Sequence, residues 1–420
     1  MTPELFSTLR IYDLKLFLAD LLAGITVAMV ALPLSLAIAI ASGADPATGL
    51  VTAVVGGFLI SFLGGSRVQI GGPTGAFIVV VYGVIAAHGY DGLVIATLMA
   101  GMILLVAGYF RAGRLISLVP EPVIDGFTIG IAVIIATSQL KDLMGADIAH
   151  MPAEFFAKIE ALWSARGTFN GAALGIGLAT IALITVLRRA FPRYPGLIVA
   201  MAVTSALSLA LGLQVDTIIS RFGDLPRTLP MPHLPEVSFA RIRELIPSAL
   251  VIAFLAGVES LLSAMVADRM TGGHHKPNAE LIAQGAANIG SALFGGLPAT
   301  GAIARTATNI RAGGRTPVAG MVHAAVIVLV MLVAAPIAGQ MAMPALAGLL
   351  ILTAWNMSEP HKWKHHWAQS PSDRFLLILT LVLTVIADLT VAIGVGVALG
   401  LALRARKKGL PDADWSERSR

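Results

Sequence analysis

The chain has 420 residues, 56% of them hydrophobic and only 13% charged, with a mean hydropathy of +0.83. No soluble core needs that much apolar surface, so the composition excludes a globular enzyme and describes a polytopic membrane protein. The net charge of +5 is scattered between hydrophobic runs without a basic stripe or aromatic platform, which excludes nucleic acid as a partner, and the lack of cysteine excludes disulfides, thiolate metal sites and thiol nucleophiles.

Glu4, Arg10, Asp13 and Lys15 punctuate the first residues, which read as an amphipathic lead-in lying on the membrane surface. The first hydrophobic run then continues for about 23 residues without a small-residue cleavage site, so it is a retained helix and not a signal peptide. Fourteen hydrophobic segments are expected, at 20–42, 48–65, 75–87, 92–110, 122–140, 171–189 and 196–213, then 245–267, 280–296, 301–310, 317–335, 344–357, 374–387 and 389–406. The third and tenth are short: at 1.5 Å per residue they reach only ~20 Å and ~15 Å, against a hydrocarbon core of about 30 Å.

With the N-terminus in the cytoplasm, the inner loops hold Arg10 and Lys15, Arg67, Arg111 and Arg114, Arg188, Arg189 and Arg193, Arg269 and Lys276, Arg311 and Arg315, Lys362, Lys364 and Arg374, and a tail cluster from Arg404 to Lys408. The short outer loops hold no Lys or Arg, and the basic residues that do fall outside lie in the long connections 141–170 and 214–244, where the charge rule is weak. Both termini are therefore expected inside, in a bacterial inner membrane. "TGA" at 74–76 returns at 300–302, and "PVIDGF" at 122–127 resembles "PALAGL" at 344–349 at nearly the same offset. Two such matches suggest a duplicated unit, and a unit with an odd number of crossings re-enters the membrane from the opposite side. The expected fold is all-α, with a seven-plus-seven inverted repeat over 1–213 and 245–406 and a short tail at 407–420.

The two short segments follow "RVQIGGP" and "FGGLPA", Gly- and Pro-bearing stretches that would enter the membrane extended, which is tolerated only inside protein or beside a wet cavity. Pro73 precedes Thr74 and Gly75, and Pro298 precedes Thr300 and Gly301, so each helix has a hydroxyl near its N-cap and a glycine that lets a ligand approach the backbone. Two half-positive helix ends aimed at one point from opposite leaflets would hold an anion. The competing reading is that these are ordinary kinks, which the paired occurrence weakens.

Glu259 sits near the middle of the eighth segment, with Ser263 one turn further on the same face. Burying such a carboxylate is costly, so it is expected to carry a proton, bind Na+, pair with a cation, or brace the broken helices. Arg305 falls just past the start of the tenth segment, where its guanidinium would reinforce the anion site, pair with Glu259, or snorkel to the cytoplasmic surface. His274 and His275 lack a nearby carboxylate or cysteine and read as solvated loop residues; no metal is expected. Trp355, Trp363 and Trp367 with His361, His365 and His366 read as an interfacial anchor, and Asp388 as a helix cap in an outer turn. With no Walker loop, nucleophile elbow or HExxH, the chain is not expected to be an enzyme, and its energy source is an ion gradient.

"DLLAGITVAMVALPLSLAIAIASG" (20–43), "GGPTGAF" (71–77), "PEPVIDGFTIG" (120–130), the run from Glu259 to Asn288, "GLPATGAIARTATNIRAGGRT" (296–316) and "VIADLTVAIGVGV" (385–397), in this order, resemble the SulP family of sulfate permeases and anion exchangers. The resemblance implies a core domain (segments 1–4 and 8–11) moving like an elevator against a gate domain (5–7 and 12–14). It implies an anion held between the third and tenth segments by Thr74, Gly75, Ala76, Phe77, Thr300, Gly301, Ala302 and Arg305, with Pro33, Leu34 and Ser35 lining the pocket. It implies coupling to H+ or Na+ through Glu259, with Ser263 beside it, and no other cofactor. Members usually continue into a cytoplasmic STAS domain, for which this chain has no sequence, so a homodimer would form through the membrane domain. Arg305, absent from some bicarbonate transporters of the group, favours sulfate or a dicarboxylate. A nucleobase–cation symporter of the same architecture would want more amide and carboxylate side chains at the broken helices, and an uncoupled anion channel would need a continuous pore.

Overall fold

Capping side chains open several of the hydrophobic helices in the computed structural model, which describes residues 2–113, 119–149, 151–191, 195–387 and 389–406. After the single turn α1 (Glu4–Thr8), Asp13 accepts a hydrogen bond from the Leu16 amide at 2.7 Å and opens α2 (Leu14–Ala41). Asp45 caps α3 (Pro46–Leu63), whose first residue is a proline. The two-residue strand β1 (Gly71–Gly72) precedes α4 (Phe77–Tyr109), which is broken at Gly89 (φ 71°, ψ 177°) into helices 77–88 and 90–109. Then come α5 (Glu121–Leu143), α6 (Phe155–Ser164), α7 (Gly171–Ala190), α8 (Gly196–Ala210) and α9 (Ile218–Phe222). The second half holds α10 (Phe239–Thr271), α11 (Pro277–Leu293), strand β2 (Thr300–Gly301), α12 (Ile303–Arg311), α13 (Val318–Gly339), α14 (Met343–Met357), α15 (Trp363–Ala368), α16 (Pro371–Ile386) and α17 (Leu389–Arg406).

Each expected hydrophobic segment coincides with a helix, and among the described residues seven helices are long and apolar enough to cross a membrane. The boundaries differ where local hydrogen bonding overrides hydropathy. The eighth segment starts at Phe239 because Ser238 accepts from the Arg241 amide at 3.3 Å. The third starts at Phe77 because Phe77 and Ile78 donate back to the carbonyls of Thr74 and Gly75 in a tight turn.

Helices pack in two groups. α2 lies along α13, α4 packs on α10 and α11, and α3 on α11; separately, α5 packs on α14 and α16, α7 on α8 and α14, and α16 on α17. The lead-in departs from a purely surface-lying peptide. Phe6 and Leu9 face outward, but Glu4 is buried against Arg67 (3.4 Å) and Lys276 (3.0 Å), with its amide on the Gly64 carbonyl. Asp20, fully buried, accepts from the Arg315 and Thr316 amides at 2.8 and 3.1 Å and so ties the start of α2 to the start of α13. Arg114, Arg193, Asp388 and the 407–420 tail lie outside the described residues.

Candidate functional site

The stretches ahead of the two short helices meet in an antiparallel ladder, Gly71 opposite Gly301 and Gly72 opposite Thr300. The Ala302 amide extends it by donating to the Ile70 carbonyl at 2.8 Å. Helices 77–88 and 303–311 therefore set out from one crossing. Two of its glycines have little room for a side chain. Gly72 has φ +146° and a Cβ on it would lie 2.3 Å from Arg305 Nη1; a Cβ on Gly301 would lie 1.5 Å from Gln69 Nε2.

Behind the crossing lies a polar scaffold that the sequence reading missed. Gln69 Nε2 donates to Ser260 Oγ (2.8 Å), which donates to Glu280 Oε1 (2.9 Å). The fully buried Glu280 also accepts from Gln284 Nε2 (2.8 Å) and the Gly65 amide (2.9 Å). Asn288 bonds the Ala299 peptide in both directions, and Asn309 Nδ2 donates to the Val68 carbonyl at 2.8 Å. Buried backbone polar groups must be paired, and these side chains pair the irregular strands that no helix can.

In front of the crossing is a cavity of about 420 Å³, lined by Thr74, Gly75 and Ala76 from one strand end, Gly301 to Arg305 from the other, Glu259 from α10, and Val30 and Leu34 from α2. Glu259 Oε2 accepts from Thr74 Oγ1 at 2.7 Å. The amides of Gly75 and Ala76, and of Ile303 and Ala304, have no hydrogen-bond acceptor among the described residues, as expected for first turns without a side-chain cap.

Several sequence expectations need correction. Neither threonine caps its helix: the N-caps are Ala76 and Ala302, Thr74 serves Glu259, and Thr300, fully buried, donates to the Ala256 carbonyl at 2.8 Å and does not line the cavity. Phe77 is core, and Ser35 is fully buried away from the cavity, whose α2 wall is the Val30, Leu34 and Ile38 face one turn apart. Ser263 does not share the cavity with Glu259; it lies 3.2 Å from Thr306 Oγ1, which accepts from the Ile70 amide and so joins the scaffold.

Arg305 neither snorkels nor pairs with Glu259. It is 1% exposed, with its guanidinium turned to the carbonyls of Gly71 and Pro73 across the crossing, and Nε left without a partner. It clamps the opposite strand while keeping a positive charge at the cavity wall. Arg305→Ala is expected to orphan two carbonyls, at about 1–3 kcal/mol each, lowering the melting temperature in detergent and eliminating anion uptake; Arg305→Lys keeps the charge and recovers part of both.

At the mouth of the cavity stand Glu121, Asp125, Lys362 and His366. His366 Nδ1 lies 3.8 Å from Asp125 Oδ2, and burial, reinforced by Lys362, pushes the imidazole down from its ordinary value. His275, expected to be solvated and without a carboxylate, lies with Nδ1 2.6 Å from Asp268 Oδ2, the Asp also accepting from the His275 amide. Among the described residues no cluster of three metal-ligating side chains occurs. Trp355 and Trp363 meet edge to face with centroids 5.6 Å apart, and both are exposed, as is Trp367.

The family model described as Sulfate permease family matches residues 17–380. The chain is 43% identical over 376 residues to a putative sulfate transporter, YvdB, of Bacillus subtilis (strain 168), covering 89% of this chain and 71% of that one. It is 32% identical over 377 residues to the bicarbonate transporter BicA of Picosynechococcus sp. (strain ATCC 27264 / PCC 7002 / PR-6), covering 87% of this chain but 66% of BicA. Among solved structures, the transmembrane domain of a cyanobacterium bicarbonate transporter BicA superposes with a TM-score of 0.82 at 31% identity, covering 91% of this chain and 99% of that one. SLC26A9 superposes with a TM-score of 0.86 at 19% identity over 97% of this chain and 68% of that one, a likeness of fold alone. These relatives are named as transporters, none as an enzyme.

Proposed function

The chain belongs to the sulfate permease family, and on that footing we propose that it is a secondary active transporter of a small anion: sulfate, bicarbonate or a dicarboxylate. The observation that carries the reading is the head-to-head crossing: two helix starts with free amides open onto one cavity that also holds a carboxylate. Two such starts supply about one unit of positive partial charge, and Arg305 adds a full one behind them. The anion is held by the amides of Gly75, Ala76, Ile303 and Ala304, and Thr74 links it to Glu259.

Coupling follows from charge. Ionised Glu259 repels an anion across a cavity of low dielectric, whereas a proton or Na+ on the carboxylate removes the repulsion, so cation and anion bind together and leave together. In this reading the fourteen helices form two inverted repeats, 1–213 and 245–406, in a bacterial inner membrane with both termini in the cytoplasm. α2 to α4 with α10 to α13 make the mobile core, and α5, α7, α8, α14, α16 and α17 the gate. The close packing within each group, looser between them, supports an elevator-like displacement.

The test is uptake by the purified chain in liposomes of labelled sulfate, bicarbonate and succinate, at two pH values and with or without Na+. Saturable uptake of one of them, stimulated by an inward H+ or Na+ gradient, is expected. Equal leakage of all three without saturation would instead mark an uncoupled pore.

A further inference from the structure

Two cavities are stacked along the same helices. α2 offers Val30 and Leu34 to the central cavity and Ile40 and Ala41 to a second one of about 780 Å³; α5 offers Asp125 to the first and Ser138 to the second, and α10 offers Glu259 and then Ser248. Phe77, Ile131 and Ile252, all fully buried on these helices, line neither cavity.

The second cavity is walled on one side by α6, whose Lys158 is 4% exposed. Its ammonium sits 5.5 Å from the centroid of the Tyr82 ring on helix 77–88 and has no carboxylate partner among the described residues. Among the described residues, the other basic groups lining this cavity have carboxylates nearby. Arg221 pairs with Asp142 (2.6 Å) and Asp216 (2.7 Å), His88 with Glu244 (3.0 Å), and Lys141 lies next to Asp142. α16 brings only uncharged residues, and Glu154, at the start of α6, is exposed and makes no ion pair among the described residues. An ammonium with only a π face for company is expensively buried, and an acceptor of negative charge is the missing partner.

We propose that this second cavity is a distinct anion site, at the other membrane face from Glu259, in which Lys158 receives a small anion of the transported class before the central site opens to that side. The proposal rests on the transport reading above. Tyr82 also donates to the Met151 carbonyl, so it fastens the loop before α6 to the short helix that carries the central site. Burial pushes the Lys158 ammonium down to about 8, so it is charged at neutral pH and loses its charge as the pH rises through that value.

The test uses the full chain in right-side-out and inside-out vesicles, with labelled sulfate, labelled bicarbonate and labelled succinate as probes. Lys158→Gln is expected to raise the KM from the Lys158 face about fivefold or more, with kcat and the opposite-face KM within about twofold of the parent, and Lys158→Arg to restore it. Raising the pH on that face alone from 7 to 9 takes Lys158 from about nine-tenths to about one-tenth charged, so the parent KM climbs while that of Lys158→Arg stays flat. An unchanged KM in Lys158→Gln, or an equal rise from both faces, overturns the proposal while leaving transport itself standing. No uptake of sulfate, bicarbonate or labelled succinate by the parent chain from either face sinks both.

Discussion

Glu259→Gln is expected to abolish gradient-driven anion accumulation while leaving anion exchange in place. Glutamine keeps the shape of the side chain, and its carbonyl oxygen still accepts the Thr74 hydroxyl that now lies 2.7 Å from the carboxylate. What it loses is the ability to change charge. One coupled proton supports at most about a tenfold accumulation per unit of pH gradient, because a pH unit is worth ~1.4 kcal/mol. The variant should therefore equilibrate at an inside-to-outside ratio near one under an imposed pH or Na+ gradient at zero membrane potential, yet trade internal for external anion at a rate within about tenfold of the parent. The measurement is labelled-anion accumulation and counterflow in the same liposomes. Accumulation that survives the substitution would place the coupling group elsewhere, with Asp125 at the cavity mouth the next to test.

The second large effect is on folding. Glu280→Ala removes the carboxylate on which Ser260 Oγ, Gln284 Nε2 and the Gly65 amide converge, all of them buried. Each orphaned donor costs about 1–3 kcal/mol, and together they rival the net stability of an ordinary domain. Loss of the monodisperse peak on size exclusion, or a fall in melting temperature of about 10 °C or more, is expected. Glu280→Gln retains the volume and part of the bonding and should lie between. A melting temperature for Glu280→Ala equal to the parent's would mean that the crossing is held by other bonds. The two variants separate cleanly, since Glu259 faces the cavity and Glu280 faces the scaffold.

Much of this architecture could be read along the chain. Hydropathy located the fourteen apolar segments, since an apolar run has few alternatives in a bilayer, but not the short helices α6, α9 and α15. The repeated Thr-Gly-Ala beside a proline pointed to two interruptions, and the ladder of Gly71–Gly72 with Thr300–Gly301 joins them. Glu259 stood out because a carboxylate in mid-helix has no cheap explanation. Directions of side chains were harder. Thr74 and Thr300 occupy equivalent places in the two motifs, yet one serves Glu259 and the other the Ala256 carbonyl, a choice made by the helix packed against each. Ser35 lies one residue past Leu34, and that single step carries it off the cavity face. Glu280 and Asn309 passed unnoticed because they sit at the ends of hydrophobic runs, where polar residues are ordinary, and Gln69 because it lies in the loop stretch between two of them. Gln69, Glu280 and Asn309 also take partners about 190 to 240 residues away. The reach of Arg305 to the far strand was hidden for the same reason.

That ladder also bears on how the protein is made. Its two strands come from opposite halves of the chain, about 230 residues apart, so at roughly 5–20 residues per second the ribosome delivers the second strand some 10–45 s after the first. Throughout that interval the Gly71 and Gly72 peptides are stranded without their permanent partners, and nascent membrane chains have little water to spare for them. Biogenesis is accordingly a single late event: an arrested chain that ends before Gly301 has helices but no place for cargo, and its natural fate is recognition by quality control.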